Sequence, residues 1–144
     1  MSIKLGFIGN GNMGYAILRG LIDQNILAPE ETAVYDLVEK IRERAEELGS
    51  RIFADEVDLV RNSEIVLIAV KPQNAEVLFH KIGEAAKGKL LVSIIAGYNV
   101  ADIRDALGQQ DVRIMRVMPN TPAMSSAGVF GMDSGTDASD EERQ

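Results

Sequence analysis

Phe7-Ile8-Gly9-Asn10-Gly11-Asn12-Met13-Gly14 decides the fold. Ile3, Leu5, Phe7 and Ile8 read as a buried strand that runs straight into a glycine turn. The first glycine permits a tight turn, and the second lets backbone come close to a pyrophosphate. The third lets the following helix lie close to the strand, with its leading amides and dipole facing the phosphates. Glycines at this spacing also occur in ordinary turns, and context separates the two readings. Here a strand precedes, a helical pattern follows, and Asp36 ends the next strand-like run. The loop therefore reads as a dinucleotide-binding turn, with Gly9, Asn10, Gly11, Asn12, Met13 and Gly14 as its candidate contacts.

Outward from this loop, strand and helix patterns alternate. Met13, Ile17, Leu18, Leu21 and Ile22 recur at helical spacing and predict a helix over 12–24. Residues 32–36 predict a second strand, and Val38, Ile41, Ala45 and Leu48 a helix that Gly49 stops. The other face of that helix, including Lys40, Arg42 and Arg44, reads as solvated and laced with helical salt bridges. Arg51-Ile52-Phe53 is a short third strand, with a short helix over 55–61. The apolar run 65–70, bounded by charge and Pro72, is what a central parallel strand covered on both faces requires. A helix over 74–86, a strand over 90–95, a helix over 100–107 and a sixth strand over 112–118 complete the series. The expected fold is α/β: a Rossmann-type, doubly wound, mainly parallel sheet.

The 144 residues fit one domain with its own core. With 15 basic against 22 acidic residues, the net charge is −7, and no basic run favours nucleic acid. There is no cysteine, hence no disulfide framework or thiolate metal site, and no metal-ligand spacing. Met1-Ser2-Ile3-Lys4 leads directly into the first strand, and no apolar run reaches the roughly 20 residues of a membrane span. A cytoplasmic protein without membrane attachment is expected. From Gly131 onward the chain turns polar, and Ser139 with Glu142 has the pattern of a capping box. The expected organisation is a dinucleotide-binding domain over 1–131, then a linker and the start of a further domain over 132–144.

In such a sheet, ligands bind beyond the carboxyl ends of the strands, where strand order reverses. Ala69, Val70, Lys71 and Pro72 end the central strand, and Lys71 is a candidate donor to a ribose or phosphate oxygen. Ala96 and Gly97 end the fifth strand with residues small enough for a flat ring. Pro119 and Asn120 follow the sixth, in a rigid loop with two prolines. Asp36 is placed to accept from a ribose 2′-hydroxyl and to repel a 2′-phosphate, which favours NAD(H). Lys40 and Arg42 lie further along the helix, beyond the expected reach of that ribose. His80, the only histidine, falls mid-helix, away from every strand end. No Ser-His-Asp set and no paired carboxylate at a strand end offers a catalytic group, so the chemistry expected is a cofactor's hydride, positioned by the protein.

Four segments in this order and spacing resemble the N-terminal half of the pyrroline-5-carboxylate reductase family: residues 7–14, 69–72, 92–97 and 116–123. Met118-Pro119-Asn120-Thr121-Pro122-Ala123 is the most discriminating of them. The resemblance implies hydride transfer from NAD(P)H to the C=N carbon of 1-pyrroline-5-carboxylate, the last step of proline synthesis. It implies that the glycine loop holds pyrophosphate, that Val70 and Lys71 line the cofactor, and that Ala96, Gly97, Pro119 and Asn120 surround the nicotinamide. It further implies a homo-oligomer, and a helical second domain supplying the substrate-contacting groups. The family often uses NADPH, whereas Asp36 favours NADH, and a family asparagine on the adenosine side is replaced near Glu56. The alternatives are a related imine reductase or 3-hydroxyacid-type dehydrogenase, and a non-catalytic dinucleotide-binding interaction module.

Overall fold

A computed structural model describes residues 3–108, 111–119 and 130–132. Six parallel strands, β1 (Ile3–Ile8), β2 (Thr32–Tyr35), β3 (Arg51–Ile52), β4 (Ser63–Ile68), β5 (Leu90–Ser93) and β6 (Arg113–Pro119), stand in the order β3-β2-β1-β4-β5-β6. Strand order reverses between the adjacent β1 and β4: the chain first builds outward through β2 and β3, then returns to the other side. A seventh strand, β7 (Phe130–Met132), pairs antiparallel with the end of β6 and takes in Met132. The sequence predicts only six strands, because three residues carry too little alternation to register as a strand.

Alternating side chains feed two cores, one on each face. Phe7, Val34 and Leu67 face α1 (Asn12–Asp23) and α2 (Glu39–Glu47), meeting Leu18 and Ala45. Ile8, Ala33, Val66 and Ile68 face the opposite way, toward α3 (Glu56–Asn62), α4 (Pro72–Ile82) and α5 (Val100–Leu107). Leu59, Phe79, Ile82 and Ile103 close that side, all fully buried. Each buried aliphatic or aromatic side chain of this size contributes about 1.5–3 kcal/mol. Val66, Leu67 and Ile68 in succession are buried on both faces, which a strand achieves only with helices above and below it. The doubly wound expectation is met.

Several boundaries differ from those read off hydropathy: β5 ends at Ser93 rather than 95, and α4 at Ile82 rather than 86. β4 occupies 63–68 rather than 65–70, because its ladder with β1 begins at Ile3 and Ser63. Ala69 and Val70 have left the strand by then, although Ala69 N still donates to Ile8 O at 2.8 Å. α4 starts at Pro72 rather than Asn74, since proline at the first helical position gives up only an amide that would have lacked a partner. Among the described residues, no helix is long and apolar enough to cross a membrane.

Candidate dinucleotide site at the strand ends

The sequence from Ile8 to Gly14 folds as a tight return pressed against β4. Gly9 has φ +86°, and a Cβ built there would stand 2.7 Å from Ala69 O, so both conformation and space require glycine. A Cβ on Gly14 would come within 3.0 Å of Gly9 O, and its absence lets α1 begin directly over the strand end. Gly11 differs: it is the N-cap of α1, and nothing lies within 4 Å of its would-be Cβ. Among the described residues no side chain caps α1, so its leading amides lack a side-chain acceptor at the positive end of the helix dipole. Asn10 is fully buried, and among the described residues neither of its side-chain polar atoms has a partner, a cost of about 1–3 kcal/mol located at the loop itself.

Asp36 braces this loop. Asn10 N donates to its Oδ2 at 2.8 Å and Val38 N to its Oδ1 at 2.9 Å, so the carboxylate ties the end of β2 to the glycine turn. Each oxygen keeps a further lone pair for a hydroxyl donor. Leu37 and Val38, just beyond, are exposed apolar side chains.

Arg42 and Arg44 depart from the expected solvated face. Both are half-buried, and among the described residues neither pairs with a carboxylate. Arg42 Nη1 donates to the backbone carbonyl of Asp36 at 2.7 Å, so it does reach the end of β2, contrary to the sequence expectation. Arg44 Nη2 donates to Asn10 O at 3.1 Å, and its guanidinium lies 3.9 Å from the centre of the Tyr15 ring. The reason is geometric: α2 packs Ala45 into the same core as α1, and long arginine stems reach back along the helix to carbonyls that the loops leave unpaired. A polar-apolar pattern scores arginine as exposed and carries no sign of this.

The remaining expected residues fall where the topology puts them. Ala69, Val70, Lys71 and Pro72 follow β4, with Lys71 exposed at the N-cap position of α4, where its side chain makes no capping bond. Ala96 and Gly97 form the exposed turn after β5, with Gly97 at φ +82°. Buried Ser93 fixes the approach to that turn by accepting from Ile95 N at 3.2 Å. Pro119 ends β6, and Asn120 lies outside the described residues, as do Thr121, Pro122, Ala123 and the Ser139–Glu142 pattern. His80 is exposed on α4, 3.7 Å from Glu76. It lines a depression of about 430 Å³ with Tyr98, Asp102 and Asp105, whose three carboxylates (with Glu76) make it a poor seat for a pyrophosphate. On the far side of β2, Lys81 bridges Glu56 at 2.8 Å and Asp55 at 3.2 Å. Burial, and next the charge of Glu56, pushes the Tyr35 hydroxyl above its ordinary value.

Residues 4–97 match the family described as NADP oxidoreductase, coenzyme F420-dependent. The pyrroline-5-carboxylate reductase of Methanosarcina acetivorans is 38% identical over 141 residues, covering 96% of this chain and 52% of that protein. Among solved structures, a pyrroline-5-carboxylate reductase from Coxiella burnetii superposes with a TM-score of 0.87 at 26% identity, covering 99% of this chain and 53% of the other. The pyrroline carboxylate reductase of Plasmodium falciparum, solved with NADP bound, superposes with a TM-score of 0.81 at 29% identity, covering 98% and 52%. The chain thus spans about half the length of the curated relatives it matches. By the match over residues 4–97, and by a glycine loop seated where strand order reverses, the chain belongs to the NADP oxidoreductase, coenzyme F420-dependent family.

Proposed function

We propose that this chain is the cofactor-binding part of a pyrroline-5-carboxylate reductase. The observation that carries the reading is the uncapped N-terminus of α1, open above Gly11 and held against the end of β4. An anion of pyrophosphate size fits such an end, because leading amides and the helix dipole converge on it. The similarity to reductases of that name, one of them solved with NADP, supports a nicotinamide dinucleotide lying across the strand ends. When bound, the reduced nicotinamide supplies a hydride for the C=N carbon of the cyclic imine.

The chain's own residues position and shield. Gly9 to Gly14 hold the pyrophosphate, and Asp36 receives the adenosine ribose diol, which favours the unphosphorylated NADH form. Val70, Lys71 and Pro72 line the far wall. Ala96, Gly97, Pro119 and Asn120 bound the nicotinamide end, the first two leaving space for its ring. The groups that contact the imine belong to a helical second domain of the whole protein, which also makes the homo-oligomer. The 144 residues alone therefore bind cofactor and turn over little substrate. Titration with NADH and NADPH, followed by nicotinamide fluorescence, tests the first half of this reading. An assay of proline formation from 1-pyrroline-5-carboxylate tests the second. Failure to bind either dinucleotide overturns the reading, and turnover at the rate of an intact enzyme overturns the need for a second domain.

A further inference from the structure

We propose that Arg44 is a positioning residue for the glycine loop: from α2 it fixes the Asn10 peptide and so sets how tightly the chain holds a dinucleotide of either kind. The inference rests on the proposed seat of a pyrophosphate over Gly9 to Gly14. Asn10 stands between Gly9 and Gly11, whose backbones tolerate many conformations. Its own side chain supplies no tether, since among the described residues neither of its buried polar atoms has a partner. Asn10 is held instead by its main chain, gripped from outside by two charged groups. Asp36 Oδ2 accepts from its N–H at 2.8 Å, and Arg44 Nη2 donates to its carbonyl at 3.1 Å.

Three observations separate Arg44 from an ordinary arginine on a helix surface. First, its contact joins α2 to the peptide that leads into Gly11, the N-cap of α1, across 34 residues of sequence. Second, the guanidinium is wedged rather than free. It lies 3.9 Å from the centre of the Tyr15 ring, and its buried Nε has no partner among the described residues. Tyr15 N in turn donates to Gly11 O at 2.8 Å, so ring and carbonyl fix the cationic head against both the loop and the first turn of α1. Third, Lys4, Arg19 and Lys81 pair with carboxylates, whereas among the described residues Arg44 pairs with none. Its charge therefore stands uncompensated behind the loop, where it favours an anion on the other side. A charge-assisted bond to the Asn10 carbonyl also polarises the Asn10–Gly11 peptide and makes its N–H a stronger donor. Because Arg44 touches the loop and no part of the ribose end, it acts on NADH and NADPH alike.

The experiment titrates the unaltered chain, Arg44→Met, Arg44→Lys, Tyr15→Phe and Tyr15→Leu with NADH and with NADPH, and follows the urea unfolding of each. Arg44→Met keeps the stem and removes the charged head, and affinity for both dinucleotides falls together by about tenfold, as for one lost charge-assisted contact. Arg44→Lys recovers part of the loss, because an ammonium reaches the carbonyl but offers no flat face to the ring. Tyr15→Phe stays within about twofold, while Tyr15→Leu, which removes the ring, weakens both ligands by about threefold. The losses of Arg44→Met and Tyr15→Leu do not add in the double variant, since one clamp has been opened twice. Asn99→Ala serves as the control, loosening α5 without touching the loop. Unchanged affinity in Arg44→Met, even with lowered stability, overturns the proposal, because Arg44 then only supports the fold. A loss confined to one of the two dinucleotides overturns it as well, as does an Arg44→Lys variant no better than Arg44→Met. Should Arg44→Met fail to fold, Tyr15→Leu decides by the same criterion. If the unaltered chain binds neither dinucleotide, the pyrophosphate site itself falls, and the proposal with it.

Discussion

α1 and α5 begin in the same way and are finished differently. Each follows a parallel strand at the carboxyl edge of the sheet and presents leading amides with no helical partner. At α5 the chain satisfies them itself: Asn99 Oδ1 accepts from Asp102 N at 2.8 Å, and Asp102 Oδ2 accepts from Asn99 N at 3.2 Å. At α1 the cap position is Gly11, which has no side chain to offer, and among the described residues nothing lies within 4 Å of where its Cβ would stand. The pattern extends across the sheet. The helices after β1, β2 and β4, the strands around the reversal, have no side-chain cap, whereas those after β3 and β5 are capped by Asp55 and Asn99. First-turn amides around the reversal have no side-chain acceptor, such amides being fewest at α4, where Pro72 has no N–H and Asn74 N donates to Lys71 O. A ligand rather than the chain is the expected partner for the open ones.

The largest test of that contrast destroys the open end. Gly9→Ala forces an L-residue to φ +86° and sets its Cβ against the backbone of Ala69. Left-handed strain with a backbone clash costs about 2–3 kcal/mol. The turn that aims the amides is displaced, and dinucleotide affinity falls by about a hundredfold or more. Urea unfolding and a fluorescence titration read the two losses, and unchanged affinity in this variant would refute the assignment.

A subtler change converts α1 into a copy of α5. Gly11 has φ −67° and open space around it, so Gly11→Asp is accommodated and supplies the missing cap. Stability holds or rises by a few tenths of a kcal/mol, because glycine is a tolerable cap and a carboxylate suits the dipole. Dinucleotide affinity falls by about tenfold or more, since the new carboxylate occupies the anion's place. Opposite signs in the two measurements mark an end reserved for a ligand. The reciprocal case is Asn99→Ala, which costs about 1 kcal/mol of stability. It leaves the dissociation constant within about twofold. A weakened affinity there would mean that the capped ends also serve the cofactor.

The contrast between open and closed ends is partly legible in the amino-acid sequence. The glycine spacing, the strand ahead of it and Asp36 mark the open end, because each follows from short-range geometry. The apolar run 65–70 announces a central strand, yet hydropathy cannot tell its ladder residues from Ala69 and Val70, which have left the strand and still pack against the two cores. The contacts of Arg42 and Arg44 with the loops are not legible. Arg44 depends on how α2 lies against a loop 34 residues away, and Arg42 on how it turns back to Asp36, six residues earlier. β7 escapes a sequence reading for a related reason, since its pairing with β6 is what makes it a strand.

The smallest effect concerns the two closed ends and separates them from each other. α5 is capped through a neutral amide, Asn99, whereas α3 is capped by Asp55, a carboxylate that also pairs with Lys81. The Lys81 hydrogen bond holds the Asp55 carboxyl below its usual range, with its acceptance from Asp58 N acting the same way. A carboxyl depressed in the folded state contributes stability that is complete above its unfolded value, about 3.9, and is lost as pH falls through the lower folded value. Lys81 is raised by Glu56 and then Asp55, so its share is present at neutral pH and vanishes only in strong alkali. Melting measured from pH 7 down to about pH 3 therefore loses a small increment at its acid end. Asp55→Asn keeps an N-cap acceptor but removes the charge, and it flattens that part of the profile. Added salt weakens the increment as well, because the pair is exposed and screened. An acid slope unchanged by both would show that Asp55 closes α3 as a neutral cap does, and that charge adds nothing to the closed ends.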